Sequence, residues 1–110
     1  MTRTGGCKCG AVAFEADGEI EKVLECNCSI CRPKGYLHWF VPDKAFRLTT
    51  EDEALGTFTF KSHKLVHRFC KTCGVSPFVQ GPGTVAVNVR CLPDVDLATL
   101  KVEPFDGAAL

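Results

Sequence analysis

Apolar and polar residues alternate along most of this 110-residue chain, and a period close to two predicts strands rather than helices. Val12, Phe14 and Ala16 alternate with Ala13 and Glu15, and Phe58 and Phe60 with Thr57 and Thr59. Leu65, His67 and Phe69 alternate with Val66 and Arg68, and Val85, Val87 and Val89 with Ala86, Asn88 and Arg90. The dense run from Leu37 to Val41 predicts another strand, with shorter ones near Ile20 to Leu24 and Ala45 to Thr49. Turn signals separate them at Asp17-Gly18, Pro33-Lys34-Gly35, Pro42-Asp43, Glu51-Asp52-Glu53 and Gly81-Pro82-Gly83. No segment carries a sustained helical stripe, and the best place for a short turn or helix is Asp94 to Leu100. The pattern predicts a single mainly β domain over residues 1–110, mostly antiparallel. A β domain this small needs reinforcement, which metal sites would supply.

Composition narrows the function. Thirteen basic and thirteen acidic residues cancel, so no excess of positive charge points to nucleic acid. No stretch is long and apolar enough to span a bilayer as a helix. Met1 to Gly6 lacks the apolar run of a signal peptide, so the expected compartment is the reducing cytoplasm. There, clustered thiols read as metal ligands or redox groups rather than disulfide halves. Spacing agrees, because a bridge within Cys7-Lys8-Cys9 or Cys26-Asn27-Cys28 would be strained.

Three cysteine clusters carry the candidate chemistry. In Cys70-Lys71-Thr72-Cys73-Gly74 a tight turn directs two sulfurs at one ion, and the glycine allows the turn. A closed structural zinc needs four ligands, and Cys7-Lys8-Cys9-Gly10 offers the matching pair. Cys26-Asn27-Cys28-Ser29-Ile30-Cys31 supplies an odd number, which suits a zinc whose fourth position stays open to water or substrate. Closure of that site by Cys91 or a histidine is the competing reading, and a redox Cys28-x-x-Cys31 pair a third. His38 and His67 read as packed or surface residues rather than ligands, and His63 as part of a polar turn. Arg32, Lys34, Arg68 and Arg90 are candidates to cradle an acidic substrate, although each also fits solvated surface charge. Tyr36, Trp39 and Phe40 suit a pocket wall or, more simply, a core.

The run Gly6-Cys7-Lys8-Cys9-Gly10-Ala11-Val12, with Cys26-Asn27-Cys28-Ser29-Ile30-Cys31-Arg32 and Phe69-Cys70-Lys71-Thr72-Cys73-Gly74, resembles the glutathione-dependent formaldehyde-activating enzyme family, which includes the centromere-protein-V-like proteins. The resemblance extends from Gly6 to about Asp96. It implies twisted antiparallel sheets, a fold shared with a small zinc-bearing nucleotide-exchange chaperone. It also implies a structural zinc on Cys7, Cys9, Cys70 and Cys73 and a second, activity-linked zinc on Cys26, Cys28 and Cys31. The reaction it implies joins glutathione and formaldehyde into S-hydroxymethylglutathione. Asn27 departs from the histidine common in the family between the first two cysteines of the second cluster.

Two classes of function follow. The first is a zinc-dependent carbon–sulfur lyase-type enzyme acting on a small-molecule thiol adduct, with Arg32, Lys34 and Arg90 as glutathione anchors. The second is a non-catalytic binding module stapled by two structural zinc sites. A redox or metal-buffering protein is a weaker third.

Overall fold

The computed structural model describes residues 1–59 and 64–109. Within them the chain forms ten strands: β1 (Thr2–Gly6), β2 (Ala13–Asp17), β3 (Val23–Cys26), β4 (His38–Pro42), β5 (Phe46–Leu48), β6 (Leu55–Phe58), β7 (Val66–Cys70), β8 (Phe78–Gly81), β9 (Thr84–Asn88) and β10 (Val102–Phe105). A one-turn helix α1 (Cys31–Lys34) follows β3. The strands build a three-stranded sheet in the order β1-β2-β5 and a seven-stranded sheet in the order β10-β3-β4-β9-β8-β7-β6. No described helix is long and apolar enough to cross a membrane.

Each segment that alternates in the sequence holds a strand, shifted by a residue or a few at the ends. The expected turn over Asp94 to Leu100 contains a 3-10 turn at Leu97–Thr99, where the Asp96 carboxylate accepts from the Ala98 N–H at 3.0 Å. Phe60 and His63 lie outside the described residues. The strands pair mostly antiparallel, as the pattern predicts, with one exception. The large sheet is mixed, because β10 pairs parallel with β3, Val102 against Val23 through Phe105 against Cys26. A parallel partner comes from far along the chain and leaves no local turn signal.

The period of two sorts the large sheet into two chemically different faces. Trp39, Val41, Val85, Val87 and Phe78 lie on one face, opposite one another in register, and all are buried. That face packs on the small sheet through an aromatic trio. Phe14 of β2 stacks on Phe46 of β5 at 5.3 Å between ring centres, and both meet Phe78 of β8, at 6.1 and 4.6 Å. Val12, Phe14 and Ala16 are fully buried in this core, as their spacing predicts. The other face carries His38, Phe40, Ala86, Val79 and His67, again opposite one another across β4, β9, β8 and β7. Polar rings on a half-covered face are a poor core and a good site.

Candidate metal centres and the adjoining cavity

Two knuckles build the first cysteine cluster. After β1 the Cys7 N–H donates to Val12 O at 3.0 Å, and after β7 the Cys70 N–H donates to Val75 O at 2.9 Å, the same five-residue closure in both. Gly10 and Gly74 turn these loops with φ of 85° and 82°, a region side chains other than glycine rarely enter. The sulfurs of Cys7, Cys9, Cys70 and Cys73 all lie within 4.8 Å of one another. Cys7 Sγ and Cys9 Sγ are 3.7 Å apart, and Cys9 Sγ and Cys70 Sγ 3.6 Å. Four sulfurs tetrahedrally placed about 2.3 Å from a zinc ion stand about 3.8 Å apart, so the set fits that metal. Backbone N–H groups from Val75 and Cys9 hold the Cys73 thiol down to about 6, which favours the ligating thiolate. Burial works against ionisation of Cys7, but the Val12 N–H, 3.3 Å from its sulfur, and the neighbouring Cys9 and Cys70 thiols together outweigh it and hold that thiol low as well.

The second cluster sits beyond the opposite face of the large sheet. β3 delivers Cys26, the following loop Cys28, and α1 begins at Cys31, with the three sulfurs within 4.8 Å of one another. The helix ends at once because Gly35 takes a left-handed conformation, φ 67°. Burial raises the Cys28 thiol, but the N–H groups of Cys31 and Ile30 with the Cys31 and Cys26 thiols together outweigh it and hold it low. Burial pushes Cys31 up. Among the described residues no fourth cysteine, histidine or carboxylate places a ligand atom within 4.8 Å of all three sulfurs. The donor set suits zinc with one position left open.

Cys91 joins neither set. It is buried in the core with Cys7 and Cys73 packed nearby. Burial lifts its thiol to about 11, and the charges of Cys7 and Cys73 add to the rise.

Two histidines that the sequence reading set aside lie beside the second cluster. His38 Nε2 is 3.5 Å from Cys31 Sγ, and its Nδ1 is buried with no hydrogen-bond partner among the described residues. Burial pushes His38 down to about 4, with His67 contributing, so its ring is neutral near pH 7. His67 Nδ1 lies 3.2 Å from the Tyr36 hydroxyl, and burial keeps that phenol neutral, at about 12. Their place in the strand pattern is the signal that could have found them: His38 of β4 and His67 of β7 alternate with Trp39 and Arg68 and so face the side away from Trp39 and Phe78.

A cavity of about 420 Å³ opens on the cluster, with Cys26, Cys28, Cys31, His38 and His67 in its wall. Phe40 also lines it, whereas Trp39 is a core residue and Tyr36 is buried behind the histidines. A second groove, of about 520 Å³, runs past Cys26, Asn27 and Arg32. The other basic candidates turn elsewhere. Lys34 Nζ donates to Ser76 Oγ at 2.9 Å, and Arg90 Nε donates to Gly35 O at 2.9 Å. Arg68 reaches Gln80 Oε1, Asp52 Oδ1 and Gly56 O at 3.0, 3.1 and 3.4 Å, which ties β6, β7 and β8 together.

The C-terminal segment completes the site and was missed from sequence. Asn27 Nδ2 donates to Asp106 Oδ1 at 3.0 Å, the Ala108 N–H donates to Asn27 Oδ1 at 2.9 Å, and Gly107 packs on Cys26 and Cys28.

Comparison with known proteins agrees with this geometry. A crystal structure of a Rhodobacter sphaeroides protein superposes with a TM-score of 0.82 at 28% sequence identity, over 91% of this chain and 99% of that one. The model of the glutathione-dependent formaldehyde-activating enzyme family matches residues 2–105, beyond the Gly6 to Asp96 expected from the cysteine motifs and through the end of β10. The chain belongs to the glutathione-dependent formaldehyde-activating enzyme family.

Proposed function

We propose that the chain is a zinc-dependent carbon–sulfur lyase-type enzyme acting on the adduct of glutathione with a small aldehyde, such as S-hydroxymethylglutathione. One observation carries this reading: Cys26, Cys28 and Cys31 converge, no fourth described ligand joins them, and a cavity lies against their open side. Cys7, Cys9, Cys70 and Cys73 supply a full set of four thiols and suit a structural zinc. The alternative of two closed structural sites needs a fourth ligand for the triad, and His38 Nε2, although 3.5 Å from Cys31 Sγ, is not within 4.8 Å of all three sulfurs.

A zinc ion held by Cys26, Cys28 and Cys31 would supply Lewis acidity for the aldehyde oxygen or the thiol sulfur. The chain's own residues shape the rest. Adduct formation makes one S–C bond as the carbonyl π pair moves to oxygen, and the thiol proton ends on that oxygen; breakdown reverses each movement, with no net oxidation. His67, its ring fixed against Tyr36, faces the cavity where that proton must move. Arg32 borders the groove beside Cys26 and is the leading anchor for a glutathione carboxylate. Lys34 and Arg90, engaged with Ser76 and Gly35 O, would have to give up those bonds to serve as further anchors.

Exchange NMR of zinc-verified protein in a mixture of formaldehyde and glutathione tests the reading, with Cys28→Ser as control. Faster exchange between free and adducted glutathione with the native protein alone supports it. No acceleration by either protein removes the formaldehyde assignment.

A further inference from the structure

We propose that the aldehyde handled at this site is a hydrophobic one, alkyl or aryl, and that the cavity beside Cys26, Cys28 and Cys31 holds its carbon chain. The inference rests on the function proposed above and names its substrate class.

Size comes first. A one-carbon aldehyde needs little more room than water, which takes roughly 30 Å³ per molecule in the liquid. The cavity measures about 420 Å³, within the range of sites that hold whole organic ligands.

Lining chemistry points the same way. Leu24, Ile30, Phe40, Val79, Ala86 and Phe105 give the wall its apolar surface, and no described Asp, Glu, Lys or Arg borders the cavity. Glutathione carries two carboxylates and an ammonium at neutral pH. Those groups would shed water there and find no charged partner, which is unfavourable. Phe40 and Phe105 also remain exposed at the edge, an apolar rim of the kind that marks a ligand-binding surface.

Layout then divides the substrate. Cys26 and Phe105 border both the apolar cavity and the groove that carries Glu25, Arg32 and Asp106. A thiol adduct is charged on one side of its sulfur and apolar on the other. Placed with its sulfur near Cys26, it sends the tripeptide along the Arg32 groove and the carbon chain over Ala86 and Val79. These two residues sit opposite each other on β9 and β8, and Ala86 also faces Phe40 of β4, so the floor is paired sheet.

The test uses the zinc-loaded chain and two stable thioethers, S-methylglutathione and S-hexylglutathione, titrated calorimetrically. Five added methylenes buried in an apolar cavity should tighten binding by about ten-fold or more. Ala86→Phe fills the floor and should erase that advantage; Phe40→Ala, at an exposed position, should reduce it without touching the core. Equal affinity for the two thioethers, no binding of either, or an advantage that survives both substitutions overturns the proposal. A hexyl advantage in a protein that accelerates no aldehyde exchange leaves the subsite standing and removes the lyase reading. Formaldehyde exchange without a hexyl advantage does the opposite.

Discussion

Asn27 Nδ2 donates to Asp106 Oδ1 at 3.0 Å while Asn27 Oδ1 accepts from the Ala108 N–H at 2.9 Å, so one amide between two cysteines of the second cluster holds the far end of the chain against them. The Asn27 N–H adds a third link, to Phe105 O at 3.2 Å. Asn27→Ala deletes the two side-chain bonds and frees the loop that carries Cys26 and Cys28. Such supporting contacts typically change metal affinity by roughly ten-fold or more. Competition against a zinc chelator should show one of two zinc ions bound at least about ten-fold more weakly in Asn27→Ala, with the other unchanged. Identical competition curves would show that the amide does not support the site.

Gly107 tests the same segment by crowding rather than by loss. A Cβ there would overlap the Cys26 sulfur and lie 3.2 Å from Cys28 Cβ. The neighbours are a thiol of the second cluster and a backbone-tethered carbon, which yield less readily than the tip of a long side chain. Gly107 is buried against this cluster, so Gly107→Ala should lower zinc occupancy there. Two zinc ions per chain at native affinity would contradict this.

The sequence carried the strands that alternate and the cysteine sets that stand close together, because period and spacing are local quantities. It did not carry β1, β8 or β10. β1 is Thr-Arg-Thr-Gly-Gly, without an apolar alternation to detect, and is held by Gly5 opposite Phe14. β8 has four residues between Pro77 and Pro82, too short for a pattern to rise above its turn residues. β10 is exposed along its whole length and owes its place to parallel pairing with β3. The same gap hid the roles of His38, His67, Asn27 and Gly107. Each depends on which strands become neighbours, and a ring at an alternating position reads as core until the opposite face of the sheet proves to hold a cavity.

The first cluster joins the loop after β1 to the end of β7, two segments more than sixty residues apart in a chain with a small core. A metal bound there would count directly toward folding. Cys70→Ser, at a position 1% exposed, should cost one zinc and about 3 kcal/mol or more. For a chain of this size that corresponds to a drop of about 10 °C or more in Tm. Differential scanning calorimetry with parallel metal analysis reads both, and native Tm after loss of the ion would refute a structural role.

Arg68 lies nearly buried on the core side of β7, and its guanidinium bridges Asp52, Gln80 and Gly56 O. It was a candidate substrate cradle from sequence, yet it does not border the cavity. Arg68→Met keeps the apolar stem and leaves three acceptors without their donor, so the expected loss is about 1–3 kcal/mol of stability. S-hexylglutathione affinity should stay within a factor of about two, a change of under 0.5 kcal/mol. Denaturant unfolding and calorimetric titration separate the outcomes: native stability with weakened binding would return Arg68 to the site.

Cys91 distinguishes an open second cluster from a closed one. Its thiol is buried and pushed up to about 11, and the charges that raise it belong to Cys7 and Cys73 of the first cluster. A ligand of the second cluster would have to lie among Cys26, Cys28 and Cys31, and Cys91 does not. Cys91→Ser should retain both zinc ions yet destabilise the protein by about 1–3 kcal/mol, because a hydroxyl replaces a weakly polar thiol in an apolar setting. Cys91→Ala should also retain both ions, which separates metal binding from the polarity of serine. Metal analysis decides the matter: two zinc ions in both variants exclude Cys91 as the fourth ligand of the second site, whereas loss of one ion in both would make Cys91 a ligand and the cluster a closed structural centre.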